Sequence, residues 1–136
     1  MSCCAEPNHE HHKAAVESVA RLLERGETVY FAPQNISEFW NVITRPVANN
    51  GLGFSISQAL AEVEKIEQIL TLLPDSPAAY AEWKRLVVKH SVIGVQVHDT
   101  RLIASMNVYG VARLLTFNSA DFFRFADIEV LLPASI

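Results

Sequence analysis

The pattern of hydrophobic and polar positions predicts a chain in which helices and strands alternate. Apolar residues recur at three- and four-residue spacing in several segments, which indicates amphipathic helices, and the short apolar runs between these segments are typical of buried strands. The predicted helices cover 11–25, 35–45, 57–69, 78–89 and 99–109, with a short one at 121–125, and the predicted strands cover 29–32, 70–73, 111–116 and 128–132. Such alternation predicts an α/β fold with a parallel sheet covered by helices on both faces.

Composition narrows the class of protein. The 136 residues, half of them hydrophobic, suit one compact domain over 1–136. The net charge of −4 gives no overall electrostatic signal for nucleic acid, so a phosphate-bearing substrate would need a local basic patch or a bound metal. Cys3 and Cys4 are adjacent and cannot staple the fold, which fits a reducing cytoplasm. No leader pattern and no apolar run long enough to cross a membrane are found, so we expect a soluble cytoplasmic protein.

Three acidic residues are the main candidates for chemistry. Glu38 and Asp121 each come shortly after a predicted strand, and Asp99 opens the predicted helix 99–109. An open α/β sheet binds its ligand outside the carboxyl ends of its strands, where these acids would meet. Carboxylates gathered there repel one another unless a cation neutralises them. Acids without a cysteine or histidine cluster favour a hard cation such as Mg²⁺ or Mn²⁺.

Each acid also has an alternative structural role. Glu38 follows Asn35 by three residues, and Asp121 follows Asn118 by three, which is the spacing of a reciprocal helix cap. Asp99, in the first turn of its predicted helix, would interact favourably with the helix dipole. The spacing alone leaves both the capping and the metal-binding interpretation open.

Three polar residues are secondary candidates. Thr116 and Asn118 could hold a water molecule or a phosphate oxygen through their hydroxyl and amide groups, or could simply end a strand and form a turn. Arg101, two residues after Asp99, could contact a phosphate, but a solvated helix face explains it equally well.

Three blocks of the chain, in order, resemble a known family. They run from Ala32 to Pro46, from His98 to Ala104 and from Leu114 to Phe122. Together they resemble the PIN domain and, within it, the VapC-type toxins of bacterial toxin–antitoxin pairs, over nearly the whole chain. The resemblance implies a Mg²⁺-dependent endoribonuclease (Mn²⁺ being an alternative ion) on a five-stranded parallel sheet, usually a homodimer, silenced by a cognate antitoxin.

The resemblance also implies roles for individual residues. Glu38 matches the family's glutamate on the second helix, Asp99 the aspartate that opens the helix before the fourth strand, and the 118–121 block the last acidic position. The implied reaction is metal-assisted hydrolysis of RNA, in which Asp99 and either Asp121 or Asn118 hold the ion and Glu38 binds or orients the attacking water.

One part of the family pattern has no match in the sequence. The family begins with a central strand that ends in an Asp-Thr-Asn-type motif, and we expect this chain to lack both that strand and its aspartate. Either the start lies downstream of the original one, or the chain is a non-catalytic PIN remnant that acts as a dimerisation or antitoxin-binding module. A phosphate-handling enzyme of flavodoxin-like type is a third interpretation, against which the lack of a glycine-rich phosphate loop counts.

Overall fold

The computed structural model of the protein describes residues 2–5 and 12–136. These residues form five strands, five α-helices and three 3₁₀ turns, and helices separate most of the strands. The strands are β1 (Ser2–Ala5), β2 (Thr28–Phe31), β3 (Thr71–Leu72), β4 (Arg113–Leu115) and β5 (Glu129–Leu131). The helices are α1 (His12–Glu24), α2 (Pro33–Thr44), α3 (Ile56–Ile69), α4 (Pro77–Lys89) and α5 (Gln96–Tyr109), and the 3₁₀ turns are Val47–Asn49, Ser119–Asp121 and Pro133–Ser135.

All four strand pairings are parallel, and the sheet order is β3-β2-β1-β4-β5. The chain moves outward from β1 to β3, then crosses to the other side of β1 and continues outward through β4 and β5. The order therefore reverses at β1, where the carboxyl ends of β1 and β4 lie side by side. Sheets of this type bind ligands at such a reversal point.

The central strand of the sheet corrects the prediction that the first strand is missing. Ser2–Ala5 occupies the middle position, with Cys3 paired with Val29 of β2 and Cys4 with Leu114 of β4. The sequence Ser-Cys-Cys-Ala carries no β-branched or aromatic residue, so nothing in its composition signals a strand. The segment that follows this strand, residues 6–11, contains no aspartate in the sequence and lies outside the described part of the chain.

Two hydrophobic cores lie on opposite faces of the sheet and confirm the predicted layering. Successive side chains of a strand point to opposite faces, so Cys3 enters the core that contains Leu22 of α1, and Cys4 enters the core that contains Leu102 and Met106 of α5. A third cluster holds α2 against α3. None of the described helices has the length and apolar character needed to cross a membrane.

Some predicted boundaries are wrong by a few residues, and three of these errors concern the candidate site. α2 begins at Pro33, so Asn35 lies inside the first turn instead of capping it. α5 begins at Gln96, which places Asp99 within the first turn. In place of the predicted helix 121–125, the structure has the 3₁₀ turn Ser119–Asp121. Backbone N–H groups there bond to carbonyl oxygens three residues earlier, as Asp121 does to Asn118, which is the pattern of a 3₁₀ turn and not of an α-helix.

Candidate active site

The structure brings the three predicted acids close enough for their charges to interact at one edge of the sheet. Glu38 lies on α2, which follows β2 directly, Asp99 lies in the first turn of α5, and Asp121 ends the 3₁₀ turn after β4. Asp99 is half-buried, whereas the other two side chains are exposed. The three carboxylates therefore come from three separate segments that the sheet topology places at the same edge.

The pKa of Asp99 reflects the nearby charges of the other two acids. Burial, reinforced by the negative charges of Asp121 and then Glu38, raises the pKa of Asp99 from 3.8 to about 6. His98 and Arg124 act in the opposite direction and lower that pKa, but less strongly. The folded protein thus holds excess negative charge around a carboxyl that resists ionisation, which is the electrostatic condition that a bound cation relieves.

The donor chemistry fits a hard cation, but the geometry of the described side chains does not close a ligand shell. Carboxylate oxygens at this edge are the ligand type that Mg²⁺ and Mn²⁺ prefer. Within residues 2–5 and 12–136, however, no group of three His, Cys, Asp or Glu side chains is arranged to hold a metal ion. The charges of Glu38 and Asp121 therefore act on Asp99, but the three described side chains do not form a compact cluster of ligands.

Glu38 is held by Gln34 instead of acting as a helix cap. The Gln34 Nε2 atom donates to Glu38 Oε1 at 3.1 Å and to the His98 backbone oxygen at 2.6 Å. The reciprocal bond at the start of α2 comes from Asn35, whose Oδ1 accepts from the Ala32 backbone N–H at 2.8 Å. The carboxylate of Glu38 is therefore not used to cap α2.

The turn after β4 uses Thr116 and Asn118 for its own structure. Thr116 is buried, and its hydroxyl oxygen accepts from the Asn118 backbone N–H at 3.0 Å. The Asn118 backbone oxygen in turn accepts from the Asp121 N–H at 3.1 Å. Asn118 is exposed, and its side chain makes no capping bond to this turn. The turn-forming role of Thr116 is thus visible in the structure, while the amide of Asn118 is not used in a cap.

Arg101 pairs with an acid outside the candidate site. Its guanidinium lies 3.3 Å from Asp75, and both side chains are more than half exposed. The pair borders a groove between α4 and α5 that Tyr80 and Trp83 also line. Arg101 is not among the groups that influence the pKa of Asp99.

Three residues near the acids escaped the sequence analysis: Gln34, Gln96 and Arg124. Arg124 donates a hydrogen bond to Gln96 Oε1 in the first turn of α5, and its charge lowers the pKa of Asp99. It is exposed and belongs to the segment that follows Asp121. A single arginine within an aromatic run has no periodic pattern or motif that would reveal such a position, and the two glutamines act through contacts between distant segments.

Comparison with known proteins supports the predicted fold. A family model described as the PIN domain matches residues 5–128. No curated protein sequence matches the chain. Among solved structures, a chain of VapBC2 from Rickettsia felis, bound to a promoter DNA fragment, is similar with a TM-score of 0.73 and 13% identity over 97% of this chain and 98% of that one.

Two further solved structures are similar over nearly their full length. VapBC-1 from nontypeable Haemophilus influenzae gives a TM-score of 0.72 at 13% identity, covering 98% of this chain and 99% of the other. FitAcB from Neisseria gonorrhoeae gives 0.60 at 17% identity, with complete coverage of both chains. At such low identity these likenesses establish the fold alone.

Proposed function

Because the chain belongs to the PIN domain family of nucleases, as its three sequence blocks predicted, we propose that it is a metal-dependent endoribonuclease. The proposed substrate is RNA, the proposed reaction is hydrolysis of a phosphodiester bond, and the proposed cofactor is Mg²⁺ or Mn²⁺. The observation that carries the proposal is the placement of Glu38, Asp99 and Asp121, which three separate segments bring to one edge of the sheet. The raised pKa of Asp99 agrees with this placement.

The proposal gives each side chain at this edge a role. Asp99 and Asp121 would hold the ion, with the Asn118 amide as a further oxygen ligand. Glu38 would be a further ligand of the ion and would also bind or orient the attacking water, from the position that Gln34 gives it. A divalent ion bound here would supply a water molecule of lowered pKa and would neutralise charge on the scissile phosphate. Arg124, the exposed cation beside Asp99, would contact the phosphate.

We further propose that the protein is the toxin of a toxin–antitoxin pair, homodimeric and cytoplasmic, with a cognate antitoxin as its partner. The similar solved structures come from VapBC and FitAB complexes, and one is described as a member of the VapBC family of toxin–antitoxin systems. Cys3 and Cys4 are buried and form no disulfide, which suits a reducing compartment.

The test is cleavage of structured RNA in the presence of Mg²⁺ or Mn²⁺. We expect Asp99→Asn to lower the cleavage rate by about 100-fold or more, because it removes a charge that the ion requires. Asp127→Asn is the matched control, since Asp127 is an exposed acid that does not influence the pKa of Asp99. Unchanged cleavage by Asp99→Asn would refute the metal-binding role of Asp99. A wild-type chain that cleaves no RNA would refute the proposed nuclease activity.

A second candidate function is a non-catalytic PIN module that binds its partner through the preserved fold. It is favoured by one observation: the described acids do not form a compact ligand cluster. Calorimetry separates the two functions, because a nuclease should bind Mn²⁺ in a way that Asp99→Ala abolishes. A module should bind no Mn²⁺ and still capture the cognate antitoxin.

A further inference from the structure

Gln34 connects two of the three segments that form the candidate site. It lies in the first turn of α2, one turn before Glu38, and its side-chain amide reaches both Glu38 and the backbone of His98. His98 precedes Asp99 directly in the first turn of α5. One amide group therefore joins the carboxylate of one helix to the turn that carries the acid of the other.

The first turn of α5 receives contacts from three other parts of the chain. Besides the bond from Gln34, the indole N–H of Trp83 in α4 donates to the Val97 oxygen at 2.9 Å. Arg124 donates to Gln96 from the segment after β4. Because separate elements hold this turn, Asp99 has a fixed backbone position against which a second carboxylate can be oriented.

Within the described part of the chain, the hydrogen bond that the Glu38 side chain accepts comes from Gln34. The Glu38 side chain is exposed, and a glutamate on a helix surface samples several rotamers unless a partner selects one. Electrostatic repulsion from Asp99 and Asp121 would also favour rotamers that point away from them. A neutral donor that binds the Glu38 carboxylate and is anchored to the α5 turn opposes both effects.

We propose that Gln34 is a positioning residue that holds the Glu38 carboxylate beside the Asp99 turn. The inference rests on the proposed function, because it deepens the account of the same site. Gln34 itself touches no reacting atom in this scheme, and it acts through Glu38. The competing explanation is a purely structural role, in which the bond to the His98 oxygen merely ties α2 to α5.

The test compares Mn²⁺ binding by the full chain and by Gln34→Met, which keeps the side-chain length and removes the donor. We expect the Mn²⁺ dissociation constant, measured by electron paramagnetic resonance, to rise by about 10- to 100-fold, as for other residues that orient metal ligands. In a Glu38→Ala background, the same Gln34→Met change should have no further effect. Gln68→Met on α3 is the control, and thermal unfolding checks that each variant folds.

A second measurement needs neither metal nor activity. The side-chain amide resonances of Gln34, observed by ¹⁵N NMR, should move when Glu38 is changed to alanine and stay in place in Glu64→Ala. If the wild-type chain binds no Mn²⁺, the metal-dependent function fails, and this spectrum alone decides the positioning role. Equal effects of Gln34→Met in both backgrounds, no effect in either, or Gln34 resonances indifferent to Glu38→Ala would overturn the inference.

Discussion

Replacing Asp99 by asparagine should make the protein more stable at neutral pH while it removes the proposed activity. The folded state binds the Asp99 proton more tightly than the unfolded chain does, because the pKa of Asp99 rises from 3.8 to about 6 on folding. The wild-type protein is therefore most stable, as far as this group is concerned, while the carboxyl is protonated. Its stability falls as the pH rises through this interval, and the penalty is complete above it.

The size of the effect follows from the same two pKa values. Their difference corresponds to roughly 3 kcal/mol, since one pKa unit is worth about 1.4 kcal/mol. Asp99 is only half-buried, so solvent screens part of this energy, and we expect a gain of about 1–2 kcal/mol for Asp99→Asn at pH 7.5. At pH 4 the Asp99 carboxyl of the folded protein is largely protonated and therefore as uncharged as asparagine. The wild type and Asp99→Asn should then be nearly equal in stability.

The assay is urea unfolding of the wild type, Asp99→Asn and the control Asp127→Asn in chelator, at several values between pH 4 and pH 7.5. The control should show no gain that depends on pH in this way. Added Mn²⁺ should then stabilise the wild type more than Asp99→Asn. The ion neutralises the Asp99 carboxylate of the wild type, and the variant has no such charge to bind it. An Asp99→Asn protein that is no more stable at pH 7.5, or is equally stabilised at pH 4, would refute the reasoning.

Three further predictions test packing and burial. Gly51→Ala should destabilise the protein by about 1–3 kcal/mol in urea unfolding, because a Cβ there would lie 2.0 Å from the Arg45 backbone oxygen; an unchanged midpoint would contradict this. Arg113→Met should cost about 3–5 kcal/mol because it leaves the Glu27 carboxylate buried without its ion pair, and adding Glu27→Leu should recover most of the loss. Burial raises the pKa of the Cys3 thiol to about 11, so iodoacetamide should label Cys3 at pH 8 only as the protein unfolds, which mass spectrometry can follow.

The helices were predictable from sequence because their signals are local. Apolar spacing located α1, α3 and α4 to within a residue or two of their observed ends, and Gly110 marked the end of α5. The start of α5 at Gln96 was missed because Val95, the residue before it, provides no capping side chain. β1 was missed because its position depends on pairing with β2 and β4, and its four residues carry no strand signal of their own.

The candidate site was predictable only in part. The three acids could be proposed because strand ends in a parallel sheet share one edge, whichever residues lie between them. The contacts that Gln34 and Arg124 make with the first turn of α5 could not be predicted, because each joins two segments that are distant in sequence. The spacing of Asn35 and Glu38 suggested a cap between them, whereas two other local bonds form at the start of α2: Asn35 accepts from the Ala32 N–H, and Gln34 donates to Glu38.

The narrow side chains of β1 set how closely α5 approaches the sheet. Cys4 packs in the same core as Leu102 and Met106, so a bulkier residue at Cys4 would lift the whole helix, and Asp99 with it, away from the strand ends. A substitution deep in the interior would thereby open the acidic edge without touching any of its side chains. For anyone redesigning this protein, the size of the side chains in its central strand is therefore a control on the spacing of the three acids.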